Sequence, residues 1–344
     1  MGNGGIVLGE DILPQPVPAP SISGADFSTD SSAAARAYGR GDYQAARTLA
    51  ATASTQGGAR AQLLFAVMLR DGLGGPKDAV QAVHWLRSAA SGGQTYALLA
   101  LAQMAFARQG GLSVSDGRGF LKKAAQKGSI EAKEVLGKVF ASGLGGPLDS
   151  GQAERWFRAA IADGSVRAKQ WLGDLLFAAR KDGEALHWYR EAAREGDARS
   201  AYRAGIILAD PQNALHDEAA ARPLLHQAAQ AGDAQAMTAW AIMLAHLKPP
   251  RPALVARWLR KAAQADDGEG QYLYAVVLAK GEGVQMDRTL AYEWAVRAVR
   301  HDPQDPKRRA LAATLGKALP GPERDRIEQI AQQPLLIIAH TALP

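Results

Sequence analysis

The chain has 344 residues, 47% of them apolar and only 6% aromatic. That is ample for a continuous core and excludes an intrinsically disordered protein. Forty basic residues against 34 acidic give a net charge of +6, milder than a bulk nucleic-acid binder carries. The absence of cysteine excludes disulfides, thiolate nucleophiles and cysteine zinc sites.

Residues 1–30 read as an extended tail, because 11-DILPQPVPAPSIS-23 is proline-rich and favours polyproline II. Its apolar Ile12, Leu13 and Val17 are candidates for docking on a groove or a partner. The tail has neither a basic n-region nor a long apolar stretch. The expectation is a soluble protein, either cytoplasmic or periplasmic with its signal removed. No window approaches the roughly 18 apolar residues of a membrane span.

From residue 31 to 303 the sequence repeats. WLRSAASGG around Trp85 returns as 120-FLKKAAQKGS-129, 156-WFRAAIADGS-165, 188-WYREAAREGD-197, 224-LLHQAAQAGD-233, 258-WLRKAAQADDG-268 and 294-WAVRAVRHD-302, with a weaker forerunner at Leu49. The anchors Leu49, Trp85, Phe120, Trp156, Trp188, Leu224, Trp258 and Trp294 lie 36, 35, 36, 32, 36, 34 and 36 residues apart. A period of this length marks a stacked array. Upstream of each later anchor runs a column of small residues: Ala66, Ala102, Gly137, Gly173, Gly205, Ala241 and Ala275. Seven small side chains in register predict a point where one helix crosses its neighbour too closely for anything larger than a methyl group. Apolar stripes at helical spacing on both sides, Phe65, Met68 and Leu69 before the loop and Ala82, Trp85, Leu86 and Ala89 after it, make each unit an antiparallel helix pair. The repeated tryptophans read as core knobs.

The order of small residue, Leu-Gly, glycine-rich loop with Gly-Pro and Asp, then Trp, Ala-Ala and Gly resembles the Sel-one-like repeat, a longer-looped relative of the tetratricopeptide repeat. The resemblance implies an all-α, right-handed solenoid of about eight repeats of roughly 36 residues and, for most members, work as an adaptor between proteins. Pro223, directly before its anchor, is expected to break or restart its helix. Residues 304–333 read as a capping helix pair split at 320-PGP-322, and 334–344 as an apolar tail that could close the core.

The loops 72-GLGGPKD-78, 143-GLGGPLD-149 and 281-GEGVQMD-287 match neither a P-loop nor a dinucleotide fingerprint. They read as glycine turns, with Asp78, Asp149 and Asp287 capping the helices that follow. The seven histidines, His84, His187, His216, His226, His246, His301 and His340, form no ligand motif, and no nucleophile motif occurs. The reading is therefore of a non-enzymatic scaffold with no metal and no cofactor.

By resemblance to tetratricopeptide architecture, the first helices line a concave groove for proteins or extended peptides. Its lining would comprise Leu63, Val67, Arg70, Leu99, Gln103, Phe106, Glu134, Lys138, Gln170, Asp174, Phe177, Tyr202, Ile206, Thr238, Ile242, Tyr272 and Val276. Two residues after the anchors lies a basic column, Arg87, Lys122, Arg158, Arg190 and Arg260, with His226 in the same register. This column supports an alternative, a binder of RNA or acidic polysaccharide. A bacterial envelope, secretion or signalling assembly is the setting the resemblance implies.

Overall fold

A computed structural model describes residues 32–333. The proline-rich tail and the apolar segment 334–344 lie outside them. Among the described residues there are eighteen α-helices and no strand. The chain divides into two compact units at Lys181–Asp182.

The first unit holds α1 (Ala33–Gly39), α2 (Tyr43–Thr55), α3 (Ala59–Asp71), α4 (Ala79–Ser91), α5 (Thr95–Phe106), α6 (Val114–Gln126), α7 (Ile130–Ser142), α8 (Ser150–Ala162) and α9 (Val166–Ala178). Consecutive helices pack against each other throughout, and first helices of adjacent repeats also touch, as α7 touches α9. Buried leucines, alanines and valines of α3, α4 and α5, with Met104, form one continuous cluster.

The second unit holds α10 (Asp182–Arg194), α11 (Ala198–Ala209), α12 (Glu218–Gln230), α13 (Ala234–Ala245), α14 (Pro252–Gln264), α15 (Gly268–Lys280), α16 (Arg288–His301), α17 (Pro306–Lys317) and α18 (Gly321–Gln332). One apolar cluster runs through it from Ala193 to Ile327. Pro223 does not break its helix: α12 runs unbroken through it. The proline is the sixth of thirteen helix residues and sits on the exposed face, so its ring displaces no core side chain.

The small-residue column is where the helices cross. A β-carbon at Gly137 would lie 2.2 Å from the Phe157 ring, and one at Gly205 would lie 2.6 Å from Leu225. Ala66, Ala102, Ala241 and Ala275 are all but inaccessible. The residue that fills each crossing follows the anchor. Leu86, Leu121, Phe157, Tyr189 and Leu225 are among the largest fully buried side chains. Of the tryptophan anchors, Trp258 and Trp294 are buried, whereas Trp85, Trp156 and Trp188 are half-buried. One residue of helix turns a side chain by about 100°, which swings the anchor onto the shoulder of the contact.

The glycine loops are turns with a second role. Gly72, Gly143 and Gly281 close α3, α7 and α15 in the left-handed conformation, which glycine adopts without steric cost. Two residues on, Gly74, Gly145 and Gly283 press onto the first residue of a helix one repeat earlier. Added β-carbons there would lie 2.0 Å from the Tyr43 carbonyl oxygen, 2.6 Å from that of Val114 and 2.2 Å from that of Pro252. Asp78, Asp149 and Asp287 then accept the backbone N–H of Gln81, Gln152 and Leu290 at 2.8–2.9 Å.

In the first unit an arginine locks each such loop from the preceding repeat. Arg47 donates to the carbonyls of Leu73 at 3.3 Å and Pro76 at 2.8 Å. Arg118 donates to Leu144 at 2.7 Å and Pro147 at 3.0 Å, and its guanidinium lies 4.6 Å from the Phe140 ring centre. Both arginines stand four residues after the start of their helices, α2 and α6. Ala256 takes that position in α14.

Candidate protein-interaction faces

Each first helix buries one stripe against its partner helix and turns another away from it. Side chains next to the small-residue column fall at the edge of the buried stripe, and small differences in rotation decide which are covered. The structure covers Leu63, Val67, Leu99, Glu134, Asp174 and Thr238. These six are buried, so they belong to the packed layer and not to an open lining. Arg70, Gln103, Phe106, Lys138, Gln170 and Phe177 are half-buried in the first unit, as are Tyr202, Tyr272 and Val276 in the second. Ile206 and Ile242 are open, at 40% and 43% exposure.

The residue directly after each small residue forms a distinct column. In the first unit it reads Val67, Gln103, Lys138 and Asp174, and in the second Ile206, Ile242 and Val276. The second unit therefore carries a uniformly aliphatic column on α11, α13 and α15. These three helices pack side by side, and two of the three side chains are exposed. An isolated exposed isoleucine needs no explanation; repetition at the same register on touching helices makes an apolar strip.

The first unit carries a polar face. Arg70 holds Asp71 through two hydrogen bonds of 2.7 and 2.8 Å, with only 9% of its side chain exposed. Tyr96 lies beside that guanidinium, and burial pushes its hydroxyl up to about 12. Glu134 accepts from the Ser165 hydroxyl and pairs with Arg167 at 3.5 Å. Burial, together with the nearby Glu134 charge, raises the Glu131 carboxyl above its ordinary value. Lys138 stands 4.3 Å over the Trp171 ring. In the second unit, burial raises Tyr202 and Asp233, and the Thr238 hydroxyl donates to Asp267 at 2.7 Å.

Tyr96, Glu131 and Arg167 are parts of this face that the chosen register missed. All three stand six residues before the small residue of their helix. Extending the same register by one helical turn toward each N-terminus finds them.

Arg87, Lys122, Arg158 and Arg260 of the basic column are exposed, and Arg190 and His226 are half-buried. Arg158 is held by Glu154 on its own helix at 2.8 Å. Lys122 leans over Phe140 at 5.6 Å. The column's charge is thus partly spent within its own layer. No group of three or more metal-binding side chains occurs among the described residues, and no described helix is long and apolar enough to cross a membrane.

The Sel1 repeat family model matches residues 59–94, 130–165, 173–197, 198–233, 256–267 and 268–302, more than half of the chain. A solved Sel1 repeat protein from Oxalobacter formigenes is similar at 22% identity over 84% of this chain and 88% of its own, with a TM-score of 0.70. The solved c5321, a protective antigen present in uropathogenic Escherichia coli strains displaying an SLR fold, is 19% identical over 84% of this chain and 79% of its own, with a TM-score of 0.38. No curated protein matches the chain significantly. The helix-pair stack, the small-residue crossings and the family match agree: the chain belongs to the Sel1 repeat family.

Proposed function

We propose that the protein is a non-enzymatic scaffold that holds protein partners along the outward faces of its first helices, in a bacterial envelope, secretion or signalling assembly. The observation that carries this reading is the exposed, repeat-equivalent pair Ile206 and Ile242. An apolar strip rimmed by half-buried tyrosines suits the anchor-and-rim build of a protein interface. The helical-repeat fold, which is that of a family generally used for protein interaction, supports the same reading.

The polar face of the first unit fits an extended peptide, whose backbone needs hydrogen-bonding groups that the aliphatic strip lacks. Changing Ile206 and Ile242 together to aspartate tests the reading. Partner binding is expected to fall by at least about tenfold with the melting temperature unchanged, since both side chains are exposed. Undiminished binding would remove the strip from the interface.

A further inference from the structure

In the second unit a cleft of about 600 Å³ opens on the other side of the stack, between the second helices α12 and α14 and over α13. Met237, Leu244, Leu247 and Leu254 form its apolar lining, with Trp240 and Trp258. Its cations are Arg251, Arg257 and Lys261, all exposed. No carboxylate lines it.

The absence of acid there is a property of the sequence as well as of the cleft. Residues 234–265 contain Lys248, Arg251, Arg257, Arg260 and Lys261 and not one aspartate or glutamate. None of the five cations takes part in an ion pair among the described residues. The nearest acid on α12, Glu218, is held by Arg222 at 2.7 Å. Where α4, α8, α12 and α16 begin with a capping aspartate, α14 begins with Arg251, which makes no side-chain cap.

The equivalent cleft of the first unit, between α4 and α6 over α5, is of similar size at about 650 Å³. It sets Arg87, Lys123 and Lys127 around Asp116, whose carboxyl is kept below the usual range by hydrogen bonds from Ser113. One carboxylate offsets part of the positive charge there; none lines the α12–α14 cleft.

We propose that the α12–α14 cleft is a docking site for a short acidic peptide segment of a partner protein, with aliphatic side chains on the cleft floor and carboxylates on Arg251, Arg257 and Lys261. The complementarity is twofold: an apolar floor rimmed by uncompensated cations matches an apolar segment flanked by acids. A nucleic acid fits less well. Bases need free aromatic faces, but Trp258 is only 8% exposed with Lys261 4.6 Å over its ring, and His226 packs 4.8 Å from Trp240. This surface is distinct from the first-helix strip proposed above, so either can fail alone.

The test uses the full chain and three labelled probes: the hexapeptide Glu-Asp-Leu-Leu-Asp-Glu, its analogue with serine for leucine, and an oligouridylate. Fluorescence anisotropy is expected to show binding of the leucine peptide that weakens with salt, and a loss of about tenfold or more for the serine analogue. A similar loss is expected for the double variant Arg257→Glu, Lys261→Glu, but none for Arg87→Glu, Lys123→Glu in the other cleft. All four positions are exposed, and unchanged melting curves would confirm that both variants fold. Equal binding of the serine analogue, preference for the oligouridylate, indifference to the Arg257 and Lys261 reversals, or no peptide binding at millimolar concentration would each overturn the proposal.

Discussion

Phe157 occupies the place that a side chain at Gly137 would need: a β-carbon there would stand 2.2 Å from the ring, closer than any atoms tolerate. Two helices cross at this point, and the phenylalanine is 2% exposed. Gly137→Ala is expected to cost about 1–3 kcal/mol through overpacking, although alanine is the better helix former. Phe157→Ala is expected to cost about 3–5 kcal/mol. Since both act on one contact, the double variant should cost clearly less than the two together. Chemical denaturation of the three variants checks this, and additive losses would show that the residues do not meet.

Arg118 joins two repeats by its hydrogen bonds to the carbonyls of Leu144 and Pro147. Arg118→Ala is expected to destabilise the fold by about 1.5–3 kcal/mol, because these part-buried carbonyls lose a charged donor. Lysine should not restore the loss, since one ammonium cannot span the loop as a planar fork does. Hydrogen exchange should accelerate across residues 143–149 in both variants. Exchange that stays slow there would mean that the glycine loop holds itself.

Glu131 links this face to pH. Burial first, and the Glu134 charge second, raise its carboxyl above the ordinary 4.5. A carboxylate whose folded pKa is raised binds its proton more tightly in the native state, so its contribution to stability falls as pH rises from about 4.5 through the folded value. Glu131→Gln removes that dependence. The variant should gain on the parent between pH 4 and pH 7, measured as the difference in denaturation midpoints. A gap that stays constant with pH would show that the side chain is hydrated in the folded state.

The helix pairs and the close crossings were legible because repetition averages away local ambiguity. One alanine at position 66 says little, whereas seven small residues in register specify a contact. At the anchors the periodicity located the packed layer but not its deepest residue. Tryptophan draws the eye at positions 85, 156 and 188, yet the most deeply buried side chains are those of Leu86, Phe157 and Tyr189, which a 100° rotation separates from them. The lining residues were harder still. Whether Val67 is covered while Ile206 is open depends on how neighbouring helices lie, and the register alone does not carry that. The arginine locks span 26 to 29 residues and escaped a reading made within single repeats. Their signal was present: Arg47 and Arg118 both stand one repeat before a GLGGP loop. The cleft between α12 and α14 escaped the sequence reading, because only the fold sets Arg251, Arg257 and Lys261 around an apolar floor.

The aliphatic strip of the second unit is the proposed seat of a partner protein. Site-specific photo-crosslinking in the native host tests it most directly, with a benzophenone side chain placed at position 206, at position 242 and at exposed Val80 on a second helix. The expected result is one and the same protein crosslinked from Ile206 and Ile242 and not from Val80. Crosslinks from Val80 alone, or none from the two isoleucine positions in a folded protein, would contradict it.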